Sequence, residues 1–217
     1  MSKKNISLAI LAAGMGSRYG GLKQMDGIGP EGATLMEYSI YDALSAGFDK
    51  IYFIIRQSIA KDFEHVVLSR LPKNLNYELV FQEIDHLPKG RKPPTERTKP
   101  WGTAHALWCA RNQIKEPFAI LNADDFYGKS GFEQIFHFFN KDAAHNAFCM
   151  VGYPLSKTMS KSGSVARGIC IKDGNGYLST VEEKTDVQYD ENGNILCDLE
   201  YGGTTLSGNE LVSMNFW

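Results

Sequence analysis

Apolar and polar positions along the chain switch between two rhythms. Ile6 to Ala12 is apolar almost throughout, the pattern of a strand buried on both faces. From Thr34 to Ala46, Leu35, Met36, Ile40, Ala43 and Leu44 recur at helical spacing, and Gly47 ends the run. "KIYFIIR", Lys50 to Arg56, is β-branched and aromatic and predicts a second strand. Ser58 is placed to cap a helix running to Leu71, and "YELVFQ", Tyr77 to Gln82, predicts a third strand. Helix returns at Thr103 to Gln113, "FAILNAD" predicts a strand ending at Asp124, and Gly131 to Asp142 predicts another helix. "AFCMVGYPL" reads as a further strand. Strands alternating with helices predict an α/β fold, a Rossmann-like, mostly parallel sheet flanked by helices, with its ligand at the C-terminal strand edge.

Two stretches break this rhythm. "EIDHLPKGRKPPTERTKPW" has four prolines, no periodicity and a basic surplus. It predicts a long exposed loop over 83–100, and loops of that length in a compact domain are usually functional or disordered. After Pro154, turn signals at Asp173-Gly174 and Asn175-Gly176 lie between strand-like runs, which predicts an inserted β-hairpin. "VQYDENGNILCDLEYGG" predicts a second polar turn region, and "ELVSMNFW" is strand-like to the last residue. No internal repeat is present.

Composition narrows the function classes. The 217 residues suit one sizeable domain, spanning 1–217. A formal net charge of −2 excludes a non-specific nucleic-acid binder, which would carry a basic excess. No apolar run approaches the roughly 18 residues of a membrane span. "MSKKNISLAILAAG" has the charged start and apolar run of a signal peptide, but it leads into a patterned glycine and cation loop rather than a cleavage site. Cys109, Cys149, Cys170 and Cys197 form no C-x-x-C pair and read as small core hydrophobes in a reducing cytoplasm.

The candidate chemistry begins where the first strand ends. "LAAGMGSRYGGLKQ" places Gly14, Gly16, Gly20 and Gly21 beside Arg18 and Lys23. Gly14, Gly16 and Gly20 form G-x-G-x-x-x-G, one residue too long for the dinucleotide fingerprint, and the next strand ends at Arg56 rather than at an acid. The P-loop pattern fails as well, because Leu22 intervenes before Lys23 and Gln24 stands where a hydroxyl is required.

The stretch instead resembles the signature of the sugar-phosphate nucleotidyltransferase family, L-A-[AG]-G-x-G-[ST]-R followed shortly by a lysine. The resemblance implies that Ala12, Ala13, Gly14 and Gly16 lie against a nucleoside triphosphate and that Arg18 and Lys23 are catalytic cations. "ILNADDFYG" resembles the family's metal-binding run, which makes Asp124 a catalytic residue and the ligand of Mg2+. Phe81-Gln82 and "WGTAHAL" resemble its base-recognition segments, so Gln82, Gly102 and Thr103 would face the nucleobase. A glutamine amide can pair with a pyrimidine imide, which favours uracil or thymine. His105 falls in the same motif and reads as a packed rather than a catalytic histidine. "ARG" at Ala166 to Gly168, "VEEKT" and "VSMNFW" resemble acceptor-side segments. They imply Gly168 against the sugar, Glu183 on its hydroxyls, Lys184 on its phosphate, and Asn215 on a further sugar-facing strand.

The implied function is attack of a sugar 1-phosphate on the α-phosphorus of a nucleoside triphosphate, giving a nucleotide-sugar and pyrophosphate. Both reactants are anionic, so positioning and charge neutralisation supply the rate. The same scaffold would serve a transferase for phosphocholine or an alditol phosphate, or a nucleotide-binding regulatory module. Retention of Arg18, Lys23 and Asp124 favours an enzyme. Arg18 and Lys23 are spaced as in shorter cytidylyl- and guanylyltransferase relatives, and the 83–100 loop is longer than usual. The family's second metal carboxylate would lie beyond "VSMNFW", so the sequence is expected to lack a C-terminal part. Phe216 and Trp217 are then expected on an exposed apolar edge that favours homo-oligomers.

Overall fold

The computed structural model describes residues 5–14, 27, 29–141, 147–160 and 163–217. The chain divides into two compact units, Met1–Cys149 with Trp217, and Met150–Phe216.

The first unit is built on a four-stranded sheet. Its strands are β1 (Ser7–Leu11), β2 (Lys50–Ile55), β3 (Tyr77–Phe81) and β4 (Phe118–Asn122), in the order β3-β2-β1-β4. All pairings among them are parallel, with Leu11 opposite both Ile54 and Asn122. The helices are α1 (Leu35–Ala46), α2 (Ala60–Val66), α3 (Thr103–Ala110) and α4 (Lys129–Asn140). On one sheet face Ala9, Tyr52, Ile54, Val80 and Ile120 pack with Ala106 and Ala110 of α3. On the other, Phe63 of α2 meets Phe53 edge-on at 5.1 Å. Phe48, just past α1, meets Phe132 of α4 at 6.3 Å. Thr34 caps α1 through a reciprocal box: its Oγ1 accepts from the Glu37 N–H at 3.2 Å, and its own N–H donates to Glu37 Oε2 at 2.6 Å.

Ser58 does not cap a continuous helix to Leu71. The segment is a 3-10 turn (Gln57–Ile59), α2, and a second 3-10 turn (Leu68–Arg70), with no side-chain cap bond. The consecutive β-branched residues Val66 and Val67 crowd the turn where α2 stops. Residues 82–102 contain turns and no regular element. "AFCMVGYPL" supplies only the short strand β5 (Gly152–Pro154), and it belongs to the second unit. Phe148, within that run, is 91% exposed, so the apolar stretch does not continue a buried strand.

The second unit is a six-stranded antiparallel sheet, an elaboration of the predicted hairpin. After β5 come β6 (Val165–Lys172), β7 (Leu178–Tyr189), β8 (Ile195–Cys197), β9 (Thr204–Leu206) and β10 (Leu211–Ser213). Their order is β5-β10-β6-β7-β8-β9. Asp173 closes the β6–β7 turn by accepting from the N–H groups of Asn175 and Tyr177, both at 2.9 Å. Asp190 closes the next turn in the same way, through Asn192 and Asn194. Leu155, Ile169, Val187, Ile195, Cys197 and Val212 form the unit's core.

Phe216, expected on an exposed edge, is fully buried. Trp217 exchanges both backbone hydrogen bonds with Ile120, at 2.9 and 3.1 Å, the signature of an antiparallel pair beside β4. No helix among the described residues is long and apolar enough to cross a membrane.

Candidate functional site

The first unit gathers its polar residues where β1 and β4 end. The Ala12 N–H donates to Ile54 O at 2.9 Å, and the Ala123 N–H donates to Leu11 O at 3.0 Å. These bonds hold both outgoing segments at the C-terminal sheet edge, where parallel sheets bind ligands. Ala12 and Ala13 are buried, while Gly14 is exposed. Gly16, Arg18 and Lys23 lie outside the described residues.

At the end of β4, Asp124 and Asp125 are both half-buried. Asp125 is absorbed by its own turn: its Oδ2 accepts from Asn122 Nδ2 at 2.9 Å, with the Tyr127 hydroxyl 3.5 Å away. The same hydroxyl accepts from the Asn122 N–H at 2.9 Å. Asp124 is the neighbouring carboxylate at the same strand end. Among the described residues no three His, Cys, Asp or Glu side chains cluster as a metal site. One carboxylate completed by phosphate oxygens and water is nevertheless the donor set magnesium prefers, so Asp124 fits the ion.

Gln82 follows β3 and is 5% exposed. Its Nε2 donates to Trp101 O at 2.9 Å and lies 3.1 Å from His105 Nδ1 and 3.5 Å from Gly102 O. The structure therefore brings Gln82 beside Gly102 and Thr103, where α3 begins. Arg97 lies 3.6 Å over the Trp101 ring, and its Nε is buried with no acceptor among the described residues. The cation–π contact compensates in part for that missing partner.

In the second unit, Ser213, Gly168 and Glu183 occupy one row across β10, β6 and β7. Directly paired residues share a sheet face. Lys184 is paired with Arg167 and so faces the other way. Its ammonium lies 3.1 Å from Asp198 Oδ2, and the Asp198 Oδ1 accepts from the Thr185 N–H at 3.1 Å. The hydrogen bond to Asp198 raises the Lys184 pKa, and the hydrogen bond from Lys184, followed by that from Thr185, lowers the Asp198 pKa. Glu183 and Lys184, adjacent in sequence, thus lie on opposite faces of the sheet. A Cβ at Gly168 would meet Val181 Cγ1 at 2.6 Å, so glycine keeps that face shallow. Asn215 is half-buried with φ 61°, a conformation asparagine tolerates, and its N–H donates to Ser213 Oγ at 3.2 Å.

The partners of Asp198 and Ser213 are set by tertiary register, which no local motif announces, and the contact of His105 with Gln82 is likewise tertiary.

A sequence profile described as nucleotidyl transferase matches residues 9–189. UTP--glucose-1-phosphate uridylyltransferase of Bacillus subtilis (strain 168) is 30% identical over 134 residues, 56% of this chain and 45% of that protein. The chain thus spans less than half of that relative's length. Among solved structures, the inositol-1-phosphate CTP transferase from T. maritima superposes with a TM-score of 0.59 at 12% identity, covering 97% of this chain and 68% of the other. A UDP-glucose pyrophosphorylase complexed with UDP-glucose superposes with a TM-score of 0.54 at 16% identity, covering 98% and 75%. At those identities the two structures establish a shared fold.

Proposed function

We infer the reaction from the premise that the chain belongs to the nucleotidyl transferase family. We propose that it joins a nucleoside triphosphate to a sugar 1-phosphate, with uracil or thymine as the base. The observation that carries this reading is Gln82, buried at the end of β3 and anchored at 2.9 Å to the segment that opens α3. The 30% identity to a uridylyltransferase that acts on glucose 1-phosphate supports both the base and the acceptor class.

In the proposed reaction an acceptor phosphate oxygen attacks the α-phosphorus. The bond to the bridging oxygen breaks, and pyrophosphate leaves with the electron pair. Backbone groups from Ala12 to Gly14 approach the triphosphate, and Arg18 and Lys23 neutralise the charge on the transferring group. Asp124 would hold Mg2+, which when bound offsets phosphate charge. Asp125 braces the turn after β4 through Asn122 and Tyr127. On the second unit, the face carrying Gly168 and Glu183, with Asn215 close in sequence to Ser213, receives the acceptor's hydroxyl groups. Lys184 stays in its ion pair with Asp198.

Pyrophosphate release tests this reading, with each nucleoside triphosphate paired with a sugar 1-phosphate, an alditol phosphate or phosphocholine. Release is expected for UTP or dTTP with a sugar 1-phosphate. Release only with phosphocholine or an alditol phosphate would overturn the acceptor class. Tight triphosphate binding with no release from any pair would overturn the enzyme.

A further inference from the structure

An amide side chain can select a base only if it cannot turn over, because its two ends have opposite hydrogen-bonding roles. Gln82 is held on both amide hydrogens. One goes to Trp101 O at 2.9 Å, and the other faces His105 Nδ1 at 3.1 Å. The His105 Nε2 lies 2.7 Å from His86 O, which can only accept, so the ring proton sits on Nε2. The lone pair is then on Nδ1, which accepts from Gln82. The Cys109 thiol, 3.9 Å from Nδ1, is too distant to compete strongly. Flipping the amide would set its oxygen against the Trp101 carbonyl and the Nδ1 lone pair.

The clamp has its own supports. The Trp101 indole N–H donates to Ile84 O at 2.9 Å, and Arg97 stacks 3.6 Å over its ring and donates through Nη2 to Pro100 O at 2.9 Å. Ile84, His86 and Arg97 of the 83–100 loop thus brace Trp101 and His105, the two residues that hold the amide. Among the described residues the Gln82 side-chain oxygen takes no hydrogen bond. Beside it, the N–H groups of Gly102, Thr103 and Ala104 open α3 with no acceptor among the described residues, since no side chain caps this helix. Among the described residues nothing lies within 4 Å of a Cβ placed at Gly102, so none of them crowds the ground next to the amide. A fixed acceptor beside donors complements the imide edge of uracil or thymine, which reads carbonyl, N–H, carbonyl. Cytosine presents a lone pair where the imide has its N–H.

We propose that His105 is a positioning residue for base selection: with Trp101, it locks the Gln82 amide so that only its oxygen is offered to the base. This rests on the reading that Gln82 faces the base. Equilibrium binding of UTP and CTP with Mg2+ to the full chain tests it, using His105→Leu, His105→Asn, His105→Gln and Gln82→Ala. Thermal melting checks that each variant folds. The ratio of UTP to CTP affinity should fall about tenfold in His105→Leu, the scale of one hydrogen bond lost or misdirected. Most of the fall should come from tighter CTP binding, because a released amide can present its N–H. His105→Asn can return an acceptor near the Nδ1 position and should keep most of the ratio. His105→Gln reaches the Nε2 position instead and should lose it. If His105→Leu does not fold, the contrast between Asn and Gln carries the test. Wild-type ratios in both the Leu and Gln variants, or equal ratios in Asn and Gln, would overturn the proposal while leaving a collapsed ratio in Gln82→Ala intact. An unchanged ratio in Gln82→Ala would overturn the reading of Gln82 itself.

Discussion

Replacing Asp124 and Asp125 one at a time with asparagine should separate two roles that their adjacency conceals. The Asp125 carboxylate accepts from Asn122 Nδ2 at 2.9 Å, with the Tyr127 hydroxyl at 3.5 Å. Hydrogen bonds to a charged group contribute about 1.5–3 kcal/mol and neutral ones about 0.5–1.5, so Asp125→Asn should cost about 1–2 kcal/mol of stability. For a chain of this size each kcal/mol moves the melting temperature by about 2–4 °C, which predicts a fall of about 2–8 °C. Asp124→Asn should instead weaken Mg2+-dependent triphosphate binding by tenfold or more, about 1.4 kcal/mol per decade. Melting both variants with and without Mg2+ and UTP provides the assay. Asp125→Asn should melt early yet keep its full ligand-induced rise, and Asp124→Asn should lose most of that rise. The reverse outcome, with ligand stabilisation lost in Asp125→Asn and retained in Asp124→Asn, would refute the division of labour.

Other expectations follow from the same sites. Lys23→Ala and Arg18→Ala should each lose on the order of a hundredfold in turnover, about 3 kcal/mol in the barrier, with little change in melting temperature. In Gly168→Ala the new methyl group meets Val181 Cγ1 at 2.6 Å, so acceptor affinity should fall while stability drops by about 1 kcal/mol. The Asp198 carboxyl is held below its ordinary 3.8 by Lys184 and then Thr185, so it stabilises the fold above that pH and loses this contribution as pH falls through its lowered value. Wild type should therefore melt above Asp198→Asn at neutral pH, and the gap should close below 3.8, as a pH series of melting curves would show.

The sequence discloses most where one rhythm dominates. β1, β2 and β4 fall within their predicted runs, because buried strands leave near-continuous apolar stretches, and β3, an edge strand with Tyr77 and Glu78 exposed, falls within its predicted run as well. Thr34 and Gly47 bound α1 at the predicted positions, since caps are written in single residues. The helix from Ser58 fails for the opposite reason: an apolar rhythm survives there, but Val66 and Val67 break the local geometry. "AFCMVGYPL" misleads because apolar content alone does not reveal whether a partner strand exists. The β6–β7 hairpin is announced by its turn residues, whereas its growth into a six-stranded sheet depends on pairings with β5 and β10 far along the chain. At the site, Asp124 and Asp125 were visible as a pair, but only the Asn122 and Tyr127 contacts assign Asp125 to the turn. Glu183 and Lys184 look like one functional doublet in sequence, and the register against Gly168 and Arg167 sends them to opposite faces.

Transfer of a nucleotidyl group to a sugar phosphate can be followed at the α-phosphorus itself. The chain would be incubated with Mg2+, UTP labelled at the α-phosphate, and glucose 1-phosphate. The label should move into a phosphatase-resistant nucleotide-sugar while unlabelled pyrophosphate appears in equal amount. Label remaining in UTP, or appearing only as UMP whether or not the sugar phosphate is present, would contradict it.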